Sequence, residues 1–313
     1  MNNQRGYSYY EAHAANVSLN EIASSYMNKR TLQRLRDGDI SNISVGASWC
    51  DISCREGDDL GWMAYFIGSS ESLQQLKVAG FPKDVEKEQQ IIHALSDGIA
   101  RNRSIQNVCV KFLSNGGFAA VARTLSTFTQ LESLTVSISN YGDNNPLNDC
   151  VVLGNLLESG VRLKYLSLVD SWNKIGDAGI AALERGLKCI GSSLKELYLP
   201  NCSIGDEGLS TLAAALGDCA CLERLDLSEN DISMTAAGLR FMRSIGSSLK
   251  QLYLSDCSLG SEGLSTLVAA LVDCTCLKVL DLSQNDFSTA AGLRSLSHWV
   301  QTASLTLDAL RLN

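Results

Sequence analysis

Two Cys-x-Cys pairs, Cys219 with Cys221 and Cys274 with Cys276, have the spacing that most suggests chemistry, a zinc site. A four-sulfur site needs each sulfur about 2.3 Å from the ion. The pairs lie 55 residues apart, at the same place in a duplicated segment. If such segments stack as neighbouring strands about 5 Å apart, the pairs are roughly 10 to 20 Å from each other, too far to share a metal. Either pair alone lacks two ligands, so both are read as packing residues. Cys50 and Cys54, in a long loop, are the remaining redox or metal candidates. His13, His93 and His298 are scattered, and none pairs with a nucleophile and an Asp as a hydrolytic triad requires. Neither phosphate-binding glycine motif occurs. Asp58 with Asp59, and Asp143 with Asn144 and Asn145, lack calcium-loop spacing and are read as solvated loop charge. The expectation is a non-enzyme with no catalytic residue, no cofactor and no resident metal.

What does recur is architecture. SLKELYLPNCSIGDEGLSTLAAALGDCACLERLDLSENDIS is followed by SLKQLYLSDCSLGSEGLSTLVAALVDCTCLKVLDLSQNDFS. Each copy splits into two units that open with Leu-x-x-Leu-x-Leu, and self-similarity at about 20 to 50 residues marks a solenoid. Clear units begin at Leu163, Leu194, Leu222, Leu249 and Leu277, with fainter ones at Ile40, Leu73, Ile105 and Leu131 and a truncated one at Leu307. The faint units are supported independently: Leu209, Leu212 and Leu216 precede Leu222 by the same intervals at which Leu60, Met63 and Ile67 precede Leu73. Apolar residues at i, i+3 and i+7 make a helix face, whereas Leu-x-Leu places two side chains on one face of a strand. Each unit is therefore a strand and a helix, and stacking yields a parallel sheet with helices along its outer side. Asp177, Asp206 and Ser261 are expected to cap helix starts, and the glycines to serve helix entry and turns.

The period of about 27 to 32 residues, the Gly-Leu-x-x-Leu-x-x-x-Leu pattern and the alternation of Cys202, Asn230, Cys257 and Asn285 resemble the ribonuclease-inhibitor-like class of leucine-rich repeat proteins. The resemblance covers about residues 40–313 and is most specific from Leu163 to Leu312. It implies an α/β leucine-rich repeat solenoid, a right-handed horseshoe with a parallel β-sheet on the concave face and α-helices on the convex face. It also implies that the Cys and Asn positions point inward and serve the loop after each strand. Insertions such as GASWCDISCREGDD lengthen the amino-terminal loops. Residues 1–39 are expected to form a tail and a capping helix bearing Ile22, Tyr26, Leu32 and Leu35. Residues 40–313 then hold about nine full repeats and the start of a tenth. No capping helix follows, which is read as a sign of a longer protein or of a partner on that edge.

Of the 313 residues, 45% are hydrophobic and only three are Pro, a folded composition. Net charge is −8, and residues 193–313 carry 8 Lys and Arg against 14 Asp and Glu. That balance disfavours nucleic acid, whose phosphates need Lys and Arg, and suits a basic protein partner. The chain opens without a secretory pattern and has no apolar run of about 18 residues, so neither export nor membrane insertion is expected. Eleven Cys are read as reduced thiols in the cytoplasm, and the sequons at Asn16, Asn42, Asn102 and Asn201 as chance.

The remaining candidate is the face of the strands turned away from the buried leucines. One column holds Ser167, Tyr198, Asp226, Tyr253, Asp281 and Arg311, and its flank holds Tyr165, Glu196, Arg224, Gln251 and Val279. Asp170, Asn201, Glu229, Asp256 and Gln284 follow the strands, and Trp172 stands in a lengthened loop. Tyr165, Glu196, Tyr198, Arg224, Asp226, Glu229, Gln251, Tyr253, Asp256, Asp281 and Arg311 form the expected partner-binding set: amphipathic rings for contact, carboxylates for a cationic partner. Tyr and Asp alternate with the same two-unit rhythm as Cys and Asn, so duplication alone also accounts for them. The function read from this face is a protein-interaction scaffold. The family also contains activators of the Ran GTPase and, as sensor regions, parts of innate immune receptors, and both stand as alternatives. Oligomeric state is left open.

Overall fold

The computed structural model describes residues 7–23, 25–46, 50–53, 59–79, 85–111, 113–138, 145–169, 175–272, 274–287, 290–302 and 307–312. Asp170, Trp172, Cys54, Asp58, Asp143 and Asn144 lie outside them. The chain divides into two compact units, residues 1–144 and 145–313.

The first unit begins with α1 (Tyr7–His13), α2 (Leu19–Ile22) and α3 (Tyr26–Arg36). Then come β1 (Asn42–Gly46), β2 (Ile52–Ser53), α4 (Leu60–Ser69), β3 (Gln75–Ala79), α5 (Val85–Arg101), β4 (Asn107–Lys111), α6 (Asn115–Leu125) and β5 (Ser133–Ser137). Its strands lie in the order β2-β1-β3-β4-β5 and the described pairings are parallel, with Ile43 opposite Leu76, Leu76 opposite Val108 and Val108 opposite Leu134. β2, formed within the first insertion, is an addition that repeat spacing does not foretell. It is held by Asp51, whose carboxylate accepts from the Ser44 N–H at 2.8 Å and the Ser44 hydroxyl at 2.9 Å. α3 packs on β2 and α4, and the Thr31 hydroxyl donates to the Asp51 carbonyl at 3.1 Å. An edge strand left bare would recruit other strands, and this helix covers it. α1 is fixed to α4 by rings: Tyr10 and Trp62 meet edge to face at 4.9 Å.

The second unit contains α7 (Pro146–Glu158), β6 (Tyr165–Leu168), α8 (Gly176–Ile190), β7 (Glu196–Tyr198), α9 (Asp206–Leu216) and β8 (Arg224–Asp226). It continues with α10 (Ala236–Ile245), β9 (Gln251–Tyr253), α11 (Ser261–Leu271), β10 (Val279–Asp281), α12 (Ala290–Thr302) and β11 (Ala309–Arg311). Strands β6 to β11 pair parallel in sequence order with no slip in register: Leu166, Leu197, Leu225, Leu252, Leu280 and Leu310 form one row. Leu166, Leu197, Leu225, Leu252 and Leu280 are fully buried, as are the helix residues Leu209, Leu212 and Leu264. Each such leucine contributes about 2 kcal/mol of transfer free energy, so a one-residue slip, which exposes a whole row, is strongly disfavoured.

The Cys and Asn alternation does what the resemblance implies. Asn230 is buried, its Oδ1 accepts from the Cys202 and Ile204 amides at 3.0 Å each, and its Nδ2 donates to the carbonyls of Leu199, Leu227 and Ser228. Asn285 repeats this for Cys257 and Leu259. The Cys202 and Cys257 thiols point back at the Leu168 and Leu227 carbonyls.

Two expectations need correction. Asp177, Asp206 and Ser261 are not N-caps: the caps of α8, α9 and α11 are Ile175, Gly205 and Gly260, and none caps through a side chain. The loops enter α9 and α11 one residue earlier and α8 two residues earlier, so the three residues already lie in the first turn. Asp177 serves the next repeat instead, its Oδ1 accepting from the Gly205 amide at 2.7 Å. Nor are all glycines turn residues. Gly68 with Gly98, and Gly154 with Gly186, lie inside helices where adjacent repeats touch, and a Cβ on Gly98 would stand 2.0 Å from the Ala64 carbonyl oxygen.

Candidate functional site

The strand register brings the expected residues into two continuous ladders on the sheet face opposite the helices. Tyr165, Glu196, Arg224, Gln251 and Val279 are mutual neighbours across β6 to β10, and Ser167, Tyr198, Asp226, Tyr253, Asp281 and Arg311 across β6 to β11. Alternation of side chains along a strand accounts for the split: in β7, β8 and β9 the central leucine is buried and the residues on either side are half-buried.

The ladders interlock through rings and charge. The Tyr165 and Tyr198 rings lie 5.0 Å apart. The Arg224 guanidinium carbon lies 4.8 Å from the Tyr198 ring centre and 4.7 Å from that of Tyr253, so one cation sits between two aromatic rings. Each ring is tethered by its hydroxyl: Tyr198 donates to Glu196 at 2.7 Å and Tyr253 to Gln251 at 3.1 Å. Burial, and then the Glu196 carboxylate beside it, push the Tyr198 hydroxyl well above the usual tyrosine range, so it stays protonated as the donor.

The carboxylates divide by environment. Asp226 accepts from the Ser228 amide at 3.0 Å. Asp281 is only 7% exposed and is committed to Ser283 and, at 3.0 Å, to Arg311. Glu229 and Asp256 are exposed in the loops after β8 and β9, with φ of 60° and 52°. Asn201 and Gln284 take the same left-handed backbone at the equivalent place, at 52° and 59°. A left-handed non-glycine residue costs roughly 1 to 2 kcal/mol, and the tight post-strand loop imposes it. Residue type is suited to this at Asn201 and Asp256 but gives no sign of it at Glu229 and Gln284. The loops also border an open cleft of about 470 Å³ to which Asp177, Glu229, Asp231 and Asp256 bring four carboxylates, a grouping that spacing alone did not reveal.

The first Cys pair takes packing positions, whereas in the second pair only Cys274 is buried and Cys276 is exposed, contrary to expectation, because the turn before β10 leaves its side chain at the surface. Cys219 is buried, Cys221 is half-buried, and both thiols face the Leu194 carbonyl, at 3.7 and 3.3 Å. Among the described residues no three His, Cys, Asp or Glu side chains gather as metal ligands, and no helix is long and apolar enough to cross a membrane.

Comparison with known proteins follows the same repeats. The Leucine Rich repeat family matches residues 163–183, 192–213, 218–236, 247–268 and 273–297. Ribonuclease inhibitor of Sus scrofa is 30% identical over 167 residues, 52% of this chain and 36% of that protein. NACHT, LRR and PYD domains-containing protein 14 of Mus musculus is 29% identical over 226 residues, 70% of this chain and 22% of that protein. The crystal structure of a TLR13-ssRNA13 complex aligns over 92% of this chain and 37% of its own, with 18% identity and a TM-score of 0.48. The chain spans well under two thirds of the length of these relatives. With five matched repeats, an unbroken register of leucines and similarity to ribonuclease inhibitors, this chain is a leucine-rich repeat protein of the ribonuclease-inhibitor-like class.

Proposed function

We propose that the chain is a non-enzymatic protein-interaction module that takes a partner protein on the open sheet face of its second unit. The observation that carries this reading is the Tyr165, Tyr198, Arg224 and Tyr253 stripe, rings and cation held in fixed relation on a half-exposed surface. Tyr and Arg are the residues that most often dominate interface energetics, because they combine large contact area with few rotatable bonds and directional donors. The carboxylates of Asp226, Glu229 and Asp256 around the stripe favour a predominantly basic partner surface. A ribonuclease inhibitor among the relatives supports protein binding as the class of activity.

A sensor role within a larger receptor is the second reading, favoured by similarity to NACHT, LRR and PYD domains-containing proteins over 70% of this chain. The cytoplasm suits either, since the Cys202 and Cys257 thiols act as buried donors and must stay reduced to do so. The test is recovery of partners from lysate by the wild type and by Tyr198→Ala with Tyr253→Ala, with bound proteins identified by mass spectrometry. Selective loss of a partner supports the sheet-face reading. Equal recovery of every protein by both forms sinks it.

A further inference from the structure

Among the described residues, Arg224 is a guanidinium of this face that no carboxylate meets. The other guanidinium of the ladders, Arg311, donates to Asp281, and the nearby lysines Lys195 and Lys250 both pair with Glu223. Arg224 lies against the two tyrosine rings, and among the described residues its Nε–H is buried without an acceptor. A buried donor without a partner costs about 1 to 3 kcal/mol in general, more when charged, so the arrangement is held against an unfavourable term.

The acceptors around it are turned elsewhere. Glu196 and Gln251 flank Arg224 in register, but Glu196 receives the Tyr198 hydroxyl and Gln251 receives the Tyr253 hydroxyl. Asp226, two residues along the strand, accepts from the Ser228 amide. The network that orients the rings thus also draws the neighbouring oxygens away from the cation between them.

We infer that Arg224, clamped between Tyr198 and Tyr253, is the docking point for one carboxylate side chain, Asp or Glu, of the protein partner. The inference rests on the sheet-face reading and names what that face reads. With rings on both sides and Nε–H buried, the guanidinium has the end formed by its two Nη groups left to offer, and a planar carboxylate meets that end with two parallel hydrogen bonds. A phosphate would bring nearly twice the charge into a surface that holds Glu196, Asp226, Glu229 and Asp256, whereas a single carboxylate brings one. The partner is then basic over most of its contact surface and presents one acid at a fixed place. The surrounding carboxylates penalise any protein that presents acid elsewhere, so the single cation sets register and selectivity more than bulk affinity.

The experiment follows the arginine Nε–H resonances of the full ¹⁵N-labelled chain, with the Arg224 signal assigned by its disappearance in Arg224→Lys. The probes are N-acetyl-glutamate methylamide, its neutral glutamine counterpart and inorganic phosphate. The expected result is a saturable shift of the Arg224 signal with the glutamate probe, half-complete on the order of 10 mM, as one bidentate charge-assisted pair supports. The glutamine probe leaves it in place, and Tyr198→Ala with Tyr253→Ala weakens the response. No saturable shift, an equal shift with glutamine, or tighter binding of phosphate overturns the inference.

Partner capture separates this failure from that of the sheet-face reading. Arg224→Gln is expected to weaken the captured partner at least about tenfold. If Arg224→Gln binds as the wild type does while the tyrosine variant does not, the sheet face stands and the carboxylate inference falls.

Discussion

Asn230 grips Cys202 from the following repeat: its side-chain oxygen accepts the Cys202 amide at 3.0 Å and the Ile204 amide at the same distance. Its amide nitrogen meanwhile satisfies carbonyls in both repeats, those of Leu199, Leu227 and Ser228. Asn230→Ala removes all of these at once and leaves buried backbone groups without partners. The expected loss is about 2 to 4 kcal/mol, read as a lower urea midpoint with an unchanged slope. Hydrogen exchange at the Cys202 and Ile204 amides should rise beyond the global change. A loss under about 1 kcal/mol would show that the loop finds other partners.

Helix spacing supplies a second prediction. A Cβ on Gly98 of α5 would lie 2.0 Å from the Ala64 carbonyl oxygen of α4, and one on Gly186 of α8 would lie 2.7 Å from the Gly154 carbonyl oxygen of α7. Helix propensity alone favours Ala over Gly by up to about 1 kcal/mol. Backbone atoms cannot rotate away as a side-chain tip can, so overpacking decides the sign. Gly98→Ala should destabilise by about 2 kcal/mol or more, and thermal denaturation of the purified variant checks it.

These cases show what the sequence makes legible. Strand and helix positions are carried by leucine spacing, which is the burial pattern itself, so the register of Leu197, Leu225, Leu252 and Leu280 and the two outward ladders follow from it directly. The inward Cys and Asn are legible through the family resemblance because their task is local to the repeat. Helix-interior glycines, β2 and the cross-repeat role of Asp177 are not, since each depends on how closely one repeat approaches the next. Within the site, the columns are readable, but the clamp on Arg224 depends on ring rotamers that residue type leaves undetermined.

The thiols should separate sharply in reactivity. Cys189 and Cys276 are exposed. Burial pushes the thiols of Cys150 and Cys257 up to about 12 and that of Cys219 up to about 11. Since only the thiolate reacts with iodoacetamide, and buried sulfurs are also shielded, Cys257 should be alkylated on the order of 100-fold more slowly than Cys276 in the native chain. Peptide mass spectrometry over a time course measures this, and equal rates would mean that the Cys257 position opens freely.

Asp149 gives the stability a pH dependence of unusual sign. It lies in the first turn of α7, where the helix dipole favours a carboxylate by up to about 1 kcal/mol. It is also only 3% exposed, and desolvation prevails, raising its carboxyl from 3.8 to about 7. In the unfolded chain the group titrates near 4. Between about pH 4 and pH 7, therefore, the native state holds a proton that the unfolded state has released, and stability from this group falls as pH rises. Above about pH 7 both states are ionised and the whole penalty is present. Asp149→Asn keeps the shape and removes the charge, so the variant should match the wild type near pH 4 and exceed it at pH 8. About 2 kcal/mol is expected, below the roughly 4 kcal/mol that the full shift would give, because water and local rearrangement screen part of it. Urea unfolding of both proteins at pH 4, 6 and 8 isolates this group from every other titration, and a difference that does not change with pH would place the Asp149 carboxyl back in the ordinary range.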